Sequence, residues 1–248
     1  MMDRSMLLSS AAMEIVSVKN STIALTGAGI SVASGIPAFR GMGGLWEKYD
    51  PEEYATIEAF RQNPAKVWQM LKEFKDVIQQ ARPNPAHLAL ARLEQLGYLR
   101  AVITQNVDGL HQEAGNTNVI EFHGNNRQVV CLKCGNKYPN EEVILDPLPP
   151  HCRCGGVLKP DAVFFGEPIP WAALSRSHEE AHNCRVVLVI GTSAVVEPAA
   201  SIPYLARRAG ARIIEVNPER ALSSDIFLRG PAEEIMPLLV DEVIRISS

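Results

Sequence analysis

Apolar, β-branched segments that end in small or polar residues recur along the chain. They are Thr22 to Thr26, Leu99 to Thr104, Val186 to Ile190 and Arg212 to Val216. Continuous apolar runs of this length are typical of parallel strands that are buried on both faces of a sheet. Segments with helical spacing lie between them. This alternation predicts an α/β fold of the Rossmann type, with a doubly wound parallel sheet.

Three segments have the helical spacing. In Pro85 to Leu96, the leucines at 88, 93 and 96 are expected to face the core, and Gly97 is expected to end the helix. Apolar residues between Leu7 and Ile15 predict an amphipathic helix at one edge of the domain. Residues Ala232 to Ile246 predict a last helix, which either tolerates Pro237 near its start or is kinked there.

Two regions interrupt the alternation. Residues 41–80 are rich in charged and aromatic side chains and predict short helices attached to the sheet. Residues 128–160 contain several prolines, four cysteines and little periodicity, as expected of an insert whose fold depends on a metal and not on an apolar core.

Composition narrows the class of protein. The 248 residues are 46% hydrophobic, enough for one good core, and the net charge of −4 gives no reason to expect strong nucleic-acid binding. The stretch from Met6 to Val18 is too polar for a signal sequence and too short to cross a bilayer, so no membrane association is expected. Five cysteines, four of them in close pairs, favour metal ligation in a reducing compartment and a cytoplasmic protein.

The cysteine pairs predict one structural zinc ion. Cys131 and Cys134 form the first pair, and Cys152 and Cys154 form the second, with residues 135–151 between them. Four thiolates in this arrangement are typical of a zinc ribbon. His151 is an alternative fourth ligand in place of Cys152, although a thiolate matches the other three ligands better. Cys184 stands alone before a strand and is expected to be simply buried.

Glycine-rich loops follow the first apolar strand. Gly27, Ala28, Gly29 and Ser31 lie where a strand feeds a tight turn and a helix start, a layout that accepts a pyrophosphate. The glycine spacing is not the standard dinucleotide fingerprint. The segment 35–41 then presents Phe39 and Arg40, which could cover a ligand and bind its charge. The alternative is that Phe39 anchors the core and Arg40 forms a surface ion pair.

Polar groups follow the next strands at the same predicted edge of the sheet. Gln105, Asn106 and Asp108 come after Leu99 to Thr104, although capping is an ordinary alternative for Asn106 and Asp108. His123 follows a short apolar run and has the pKa that suits proton removal near neutral pH, with a core-edge histidine as its alternative role.

These motifs together resemble the sirtuin family. Their order along the chain is that of sirtuins, and they extend from Gly27 to the C-terminal helix. They are Gly27 to Ser31, Gly35 to Gly41, Thr104 to Asp108, Phe122 to Gly124, the cysteine pairs, Phe165 to Glu167, Gly191 to Ser193 and Val216 to Asn217. The second cysteine pair departs from the C-x-x-C spacing of many sirtuins.

The resemblance implies an NAD-dependent protein-lysine deacylase. In that mechanism the acyl-lysine oxygen attacks the nicotinamide ribose, nicotinamide leaves, and an alkylimidate is converted to O-acyl-ADP-ribose and free lysine. His123 is implied as the general base, and Asn106 and Asp108 as further catalytic groups. The implied NAD site consists of Gly27, Ala28, Gly29, Ser31, Phe39, Arg40, Trp46, Gln105, Asn106, Asp108, Gly191, Thr192, Ser193, Asn217 and Ala232.

The implied partner is an acylated lysine in a protein or peptide. Val163, Phe165, Gly166 and Glu167 are implied to bind it, the backbone of this stretch pairing with the extended peptide, whereas an ordinary buried strand is the alternative. Leu71 and Phe74 stand where sirtuins that remove succinyl or malonyl groups have Tyr and Arg. The resemblance therefore favours acetyl or longer apolar acyl groups.

The resulting organisation is a Rossmann-type NAD-binding domain (residues 1–40, 81–127 and 161–248), a helical insert (41–80) and a zinc-ribbon module (128–160). Two other functions remain open at this point: a mono-ADP-ribosyltransferase that uses a different nucleophile, and a non-catalytic NAD-sensing module. A hydride-transferring dehydrogenase is disfavoured by the irregular glycine spacing.

Overall fold

The computed structural model describes residues 3–39 and 43–248. The described residues form nine strands, which in chain order are β1 (Thr22–Thr26), β2 (Leu99–Thr104), β3 (Val119–Glu121), β4 (Gly124–Cys131), β5 (Lys137–Pro139), β6 (Leu158–Ala162), β7 (Val186–Ile190), β8 (Arg212–Asn217) and β9 (Ile226–Arg229).

Within residues 3–39 and 43–248, ten α-helices connect and cover these strands. They are α1 (Arg4–Ser17), α2 (Leu45–Lys48), α3 (Pro51–Tyr54), α4 (Ile57–Gln62), α5 (Pro64–Gln80), α6 (Pro85–Gln95), α7 (Leu110–Glu113), α8 (Trp171–Asn183), α9 (Ile202–Arg208) and α10 (Ala232–Ser247). Short 3-10 helices at Ala28–Ser34, Asn140–Glu142 and Ala199–Ser201 complete the described elements. Within the described ranges, no helix is both long and apolar enough to cross a membrane.

The main sheet has six parallel strands in the order β3-β2-β1-β7-β8-β9. The chain leaves β1 toward one edge of this sheet and later returns to its other side, as in the Rossmann order 3-2-1-4-5-6. Thr26 lies beside both Thr104 and Ile190, so the central strands end at one level. The predicted doubly wound α/β fold is confirmed, and ligands bind such sheets at this switch point.

Helices cover both faces of the main sheet. On one face, α1, α6 and α10 pack against the strands, and Ala11, Ala12 and Ile15 of α1 are fully buried there. On the other face the apolar layer includes Ala181 of α8 and Ile202 of α9. The predicted N-terminal amphipathic helix is confirmed, and α10 runs continuously through Pro237.

Helix α6 differs from its prediction in the face that it buries. Leu88 is 52% exposed, whereas Leu90 and Leu93 are fully buried. The prediction for Leu88 is wrong because five residues separate it from Leu93, which places it about 140° around the helix from the face that packs on the sheet. The stop at Gly97 is confirmed: this residue has φ +76°, and Tyr98 N donates to Leu93 O at 2.9 Å.

The two inserted regions share an apolar core. Phe60 and Trp68 of the helical region pack with Val129 and Leu158 of the small antiparallel sheet β5-β4-β6, and Trp68 Nε1 donates to Leu158 O at 2.8 Å. The expectation that the cysteine-rich insert lacks a core is therefore wrong. The expectation of only short helices in residues 41–80 is also wrong, since α5 has 17 residues.

Candidate NAD and acyl-lysine site

A cavity of about 890 Å³ opens at the carboxyl ends of the central strands. The loops after β1, β2, β7 and β8 meet there, and the helical insert and the segment after β6 close it. Most of the predicted site residues line its wall: Gly27, Ala28, Gly29, Phe39, Trp46, Gln105, Asn106, His123, Val163, Phe165, Gly166, Glu167, Gly191, Thr192, Ser193, Asn217 and Ala232. The topology thus brings together residues that are far apart in sequence.

Three predicted residues are not part of this wall as described. Arg40 lies outside the described residues. Among the residues that the structure describes, Ser31 and Asp108 do not line the cavity. They lie behind Asn106 instead, because Ser31 Oγ donates to Asp108 Oδ2 at 2.7 Å and Asn106 Nδ2 donates to Ser31 Oγ at 3.1 Å.

Two glycine loops approach each other closely at the switch point. Gly29 N donates to Gly191 O at 2.8 Å. A Cβ on Gly29 would lie 2.7 Å from that oxygen, and a Cβ on Gly191, which has φ +60°, would lie 2.3 Å from Ile30 N. The approach of the two loops therefore requires these glycines, independently of any ligand.

Side-chain amides connect the loops after β1, β2 and β7. Gln105 Nε2 donates to Thr192 Oγ1 at 3.0 Å, and Asn106 Nδ2 donates to Gly27 O at 3.2 Å. Asp108 also closes the turn before α7, since its Oδ1 accepts from Leu110 N at 3.0 Å. The capping alternative is thus realised for Asp108, whereas Asn106 lies in the cavity wall.

A buried histidine pair lies beneath these loops. His87 and His111 stack with ring centroids 4.9 Å apart, and His111 Nε2 lies 2.9 Å from Thr26 Oγ1. Burial lowers the pKa of His87 to about 4 and that of His111 to about 3, so both rings are neutral near pH 7. His87 also closes a capping box with Asn84 at the start of α6, a pattern readable in the sequence.

His123 is oriented by the backbone of the neighbouring loop. It follows β3, and its Nδ1 lies 3.1 Å from Gln105 O. A carbonyl oxygen only accepts, so Nδ1 carries the proton and Nε2 keeps a free lone pair in a residue that lines the cavity. Burial lowers the pKa of His123, and the hydrogen bond to Gln105 partly opposes this. The arrangement is suited to a general base.

Phe39 and Trp46 form an aromatic wall. Their rings stack with centroids 5.2 Å apart at an interplanar angle of 25°, and Trp46 N donates to Phe39 O at 3.0 Å. Phe39 is 42% exposed, so the alternative that it anchors the core is wrong. The pair covers one side of the cavity with an apolar surface.

The stretch Val163 to Glu167 is not the ordinary buried strand that was its alternative interpretation. Strand β6 ends at Ala162, and the chain then turns at Gly166, which has φ +85°. Val163 N donates to His123 O at 2.8 Å, and Phe165 pairs through its backbone with Ala55 and Ile57. This segment, Val163 to Glu167, connects His123 to the helical insert.

The far end of the cavity is formed by the loops after β7 and β8. Asn217 Nδ2 donates to Thr192 O at 3.1 Å and to Glu215 Oε1 at 3.0 Å. Several wall residues here and elsewhere were not predicted, among them Tyr54, Met70, Ile169, Val196, Pro198, Glu219, Arg220 and Glu233. Those after β7 and β8 could have been found from the rule that loops at this edge of a parallel sheet face the ligand.

The four paired cysteines converge on one point. Their sulfur atoms lie within 4.8 Å of one another, with 3.5 Å between Cys131 and Cys154 and 3.7 Å between Cys134 and Cys152. Tetrahedral zinc with bonds of about 2.3 Å places sulfurs about 3.8 Å apart, so the set fits one Zn²⁺. The cluster contains Cys152 and not His151, and Tyr138 Oη lies 3.1 Å from Cys152 Sγ. Cys184 is buried, as predicted.

Comparisons with known proteins agree with this site. The Sir2 family model matches residues 27–198. An NAD-dependent protein deacylase from Pyrococcus abyssi is 52% identical over 241 residues, which cover 94% of this chain and 96% of the relative.

Two solved structures are similar over nearly the whole chain. A Sir2 homologue in complex with NAD has a TM-score of 0.89 and 43% identity, covering 100% of this chain and 96% of that one. A Sir2 protein bound to a myristoylated histone peptide has a TM-score of 0.80 and 38% identity, covering 98% of each chain.

The fold and the site define a dinucleotide-binding protein of the Rossmann type that carries a four-cysteine zinc module. Given these matches, the chain belongs to the Sir2 family. The predicted class of activity, NAD-dependent protein deacylation, and the predicted requirement for NAD and one zinc ion are confirmed.

Proposed function

We propose that this chain removes acyl groups from lysine side chains of proteins, with His123 as the general base. When bound, NAD supplies the anomeric carbon of its nicotinamide ribose as the electrophile and is consumed as nicotinamide leaves. The observation that supports His123 best is its fixed tautomer, with Nδ1 directed to Gln105 O and Nε2 free in a residue of the cavity wall. There Nε2 can accept the proton of a ribose hydroxyl.

The surrounding residues have supporting roles in this proposal. Gln105 and Asn106 are held by the loops after β1 and β7, and they would bind and orient the nicotinamide and its ribose. Ser31 and Asp108 act behind the wall by fixing Asn106. The stacked pair Phe39 and Trp46 excludes water from the reacting carbon. The loops that carry Gly191, Thr192, Ser193, Asn217 and Ala232 bind the adenosine half.

The pH dependence of the reaction follows from the base. Burial lowers the pKa of His123, and the neutral ring is the active form. Activity is therefore lost only as the pH falls through this lowered pKa. We expect kcat/KM for an acetyl-lysine peptide to keep its plateau down to about pH 6.5, the ordinary value for histidine, and to fall below it. Preincubation at each pH, followed by assay at pH 8, controls for unfolding. A midpoint above neutrality would contradict the assignment.

The acyl group is proposed to be acetyl or a longer apolar chain. Met70 and Leu71 of α5 line the cavity together with Val163, and none of these side chains can pair with a carboxylate. Phe74 packs on Tyr49, with ring centroids 5.7 Å apart. The similar Sir2 protein that binds a myristoylated peptide supports room for a long chain.

The relative rates on different acyl peptides test this preference. On one peptide sequence that carries acetyl, myristoyl or succinyl lysine, we expect acetyl and myristoyl turnover to exceed succinyl turnover by at least about 10-fold. Burying a carboxylate without a cation to pair with it costs more free energy than the loss of one hydrogen bond does. Mass spectrometry of the peptides measures all three. Succinyl turnover equal to acetyl turnover would show that another residue supplies the cation.

One assay tests the function as a whole. The protein is incubated with NAD and an acetyl-lysine peptide, and nicotinamide and peptide mass are followed together. Equal amounts of nicotinamide and deacetylated peptide support the proposal. Nicotinamide release with the acetyl group intact indicates ADP-ribosyl transfer or NAD hydrolysis. ADP-ribose binding without nicotinamide release indicates an NAD-sensing module.

Three further features belong to the proposal. We divide the chain into a Rossmann-type domain (1–40, 81–127 and 161–248), a helical insert (41–80) and a zinc module (128–160), of which the last two share a core. A cytoplasmic location is supported by the thiol cluster, which persists in a reducing compartment. Strong nucleic-acid binding is not expected at a net charge of −4.

A further inference from the structure

Lys159 is a buried lysine with no part in the reaction described above. It lies in β6 and is 4% exposed. A buried ammonium is stable only when its protons are bonded and its charge is balanced. Its Nζ donates to Pro160 O at 2.9 Å and to Ala162 O at 2.6 Å, and it pairs with Glu167 Oε2 at 3.0 Å. All three of its donors are therefore used, and every partner lies within the next eight residues.

Glu167, the partner of Lys159, also binds the backbone of the stretch between them. The same Oε2 accepts from Phe164 N at 2.9 Å, and the Lys159 Nζ lies 4.6 Å from the centroid of the Phe164 ring. The Lys159 ammonium binds the start of the stretch 160–167 at Pro160 O, and the Glu167 carboxylate at its end binds Phe164 N near its middle. We call this contact the Lys159–Glu167 clamp.

The stretch inside the clamp carries the predicted acyl-lysine contacts. Val163, Phe165 and Gly166 line the cavity. Val163 N donates to His123 O at 2.8 Å, so the start of the stretch is joined directly to the residue proposed as the base. A change in the shape of the stretch would therefore change the distance between the bound acyl group and His123 Nε2.

We propose that Lys159 is a positioning residue for the acyl-peptide substrate, acting through Glu167 on the segment Val163 to Gly166. This inference rests on the proposed function of that segment as the peptide site. The loops that bind NAD are attached to other strands, β1, β2, β7 and β8. Loss of the clamp should therefore weaken peptide binding and leave the nucleotide site intact. A lysine that only stabilises the small sheet would affect both ligands or neither.

The test compares two ligands in the full chain with zinc bound. Lys159→Met keeps the length of the side chain and removes its charge and donors. We expect the KM for an acetyl-lysine peptide to rise about 10- to 100-fold, as for a lost charged hydrogen-bond network, with ADP-ribose binding measured by calorimetry unchanged. An unchanged peptide KM in a folded Lys159→Met protein would overturn the proposal.

Two further variants separate positioning from stability. Lys137→Met removes the more exposed Lys137–Asp161 pair (2.5 Å) of the same small sheet, and it should leave the peptide KM unchanged. If Lys137→Met raises the peptide KM as much as Lys159→Met does, the effect is general and the proposal fails. Where Lys159→Met does not fold, Lys159→Gln, whose amide keeps hydrogen-bond donors and carries no charge, decides the test by the same criteria.

Measurements on the wild-type protein distinguish a failure of the proposed function from a failure of the positioning role of Lys159. If the wild type binds ADP-ribose and releases no nicotinamide with any acyl peptide, the proposed function fails, whatever the variants do. If the wild type deacylates the peptide and Lys159→Met does so with the same KM, only the positioning role fails.

Discussion

Replacing His123 by alanine should reduce deacylation about 10²- to 10⁴-fold, the usual loss for a general base, while ADP-ribose binding stays near the wild-type value. The reason is local. His123 contributes a lone pair at Nε2, and its ring hydrogen bond goes to Gln105 O, a carbonyl that can turn to solvent when the ring is removed. The amide contacts of Gln105 and Asn106 with the glycine loops do not involve the ring. Single-turnover deacetylation and calorimetry with ADP-ribose measure the two effects.

A matched control is His178→Ala, because His178 lies exposed on α8 and should be replaceable without loss. Retained turnover in His123→Ala would place the base elsewhere. Loss of ADP-ribose binding together with turnover would mean that the ring maintains the shape of the site, and the assignment as base would be withdrawn.

Replacing Cys152 by serine should release the zinc ion, lower the free energy of unfolding by more than about 4 kcal/mol and abolish deacylation. The cysteine cluster holds the turns at the ends of β4 and β6, and these strands carry Val129 and Leu158, which pack on the helical insert. Strand β6 also carries Lys159 of the Lys159–Glu167 clamp and leads directly into the segment Val163 to Gly166. Loss of the metal is therefore expected to disturb the cavity even though the ion takes no part in the chemistry.

His151→Ala is the informative control for the zinc prediction. His151 is exposed and lies outside the sulfur cluster, so this variant should keep one zinc ion per chain and normal activity. Zinc content by atomic emission and thermal unfolding give the two readouts. Zinc lost from His151→Ala and kept in Cys152→Ser would reverse the ligand assignment.

Much of the site follows from local sequence, because each motif comes directly after a buried apolar strand. The runs before Gly27, Gln105 and Gly191 predicted β1, β2 and β7 with the bounds that the structure shows. Parallel strands place their carboxyl ends at one edge, so the motifs had to meet there once the sheet was predicted. The cysteine spacing was sufficient for zinc, because a tetrahedral site restricts the ligands to a few arrangements.

Other features depend on partners that are distant in sequence. Leu88 was expected to be buried together with Leu93, but the two lie about 140° apart around the helix, and packing on the sheet selects the face of Leu90 and Leu93. Asp108 and Asn106 belong to one motif, yet only Asn106 reaches the cavity wall, because hydrogen bonds to Ser31 Oγ and Leu110 N hold Asp108 behind it. The role of Gly29 likewise comes from its contact with Gly191.

The sequence by itself determined the family, the central strands of the sheet, the cysteine-based zinc site and the motifs that meet in the cavity wall, since these depend on local pattern and spacing. The tertiary structure decided which side chains support others from behind, that the two inserts share a core, that the fourth sulfur of the cluster belongs to Cys152, and that Lys159 and Glu167 clamp the stretch between them. A charged pair of this kind has no local signature. A charged pair on the surface constrains the chain little, whereas a buried pair must stay bonded, and only the packing of the chain determines whether the pair is buried.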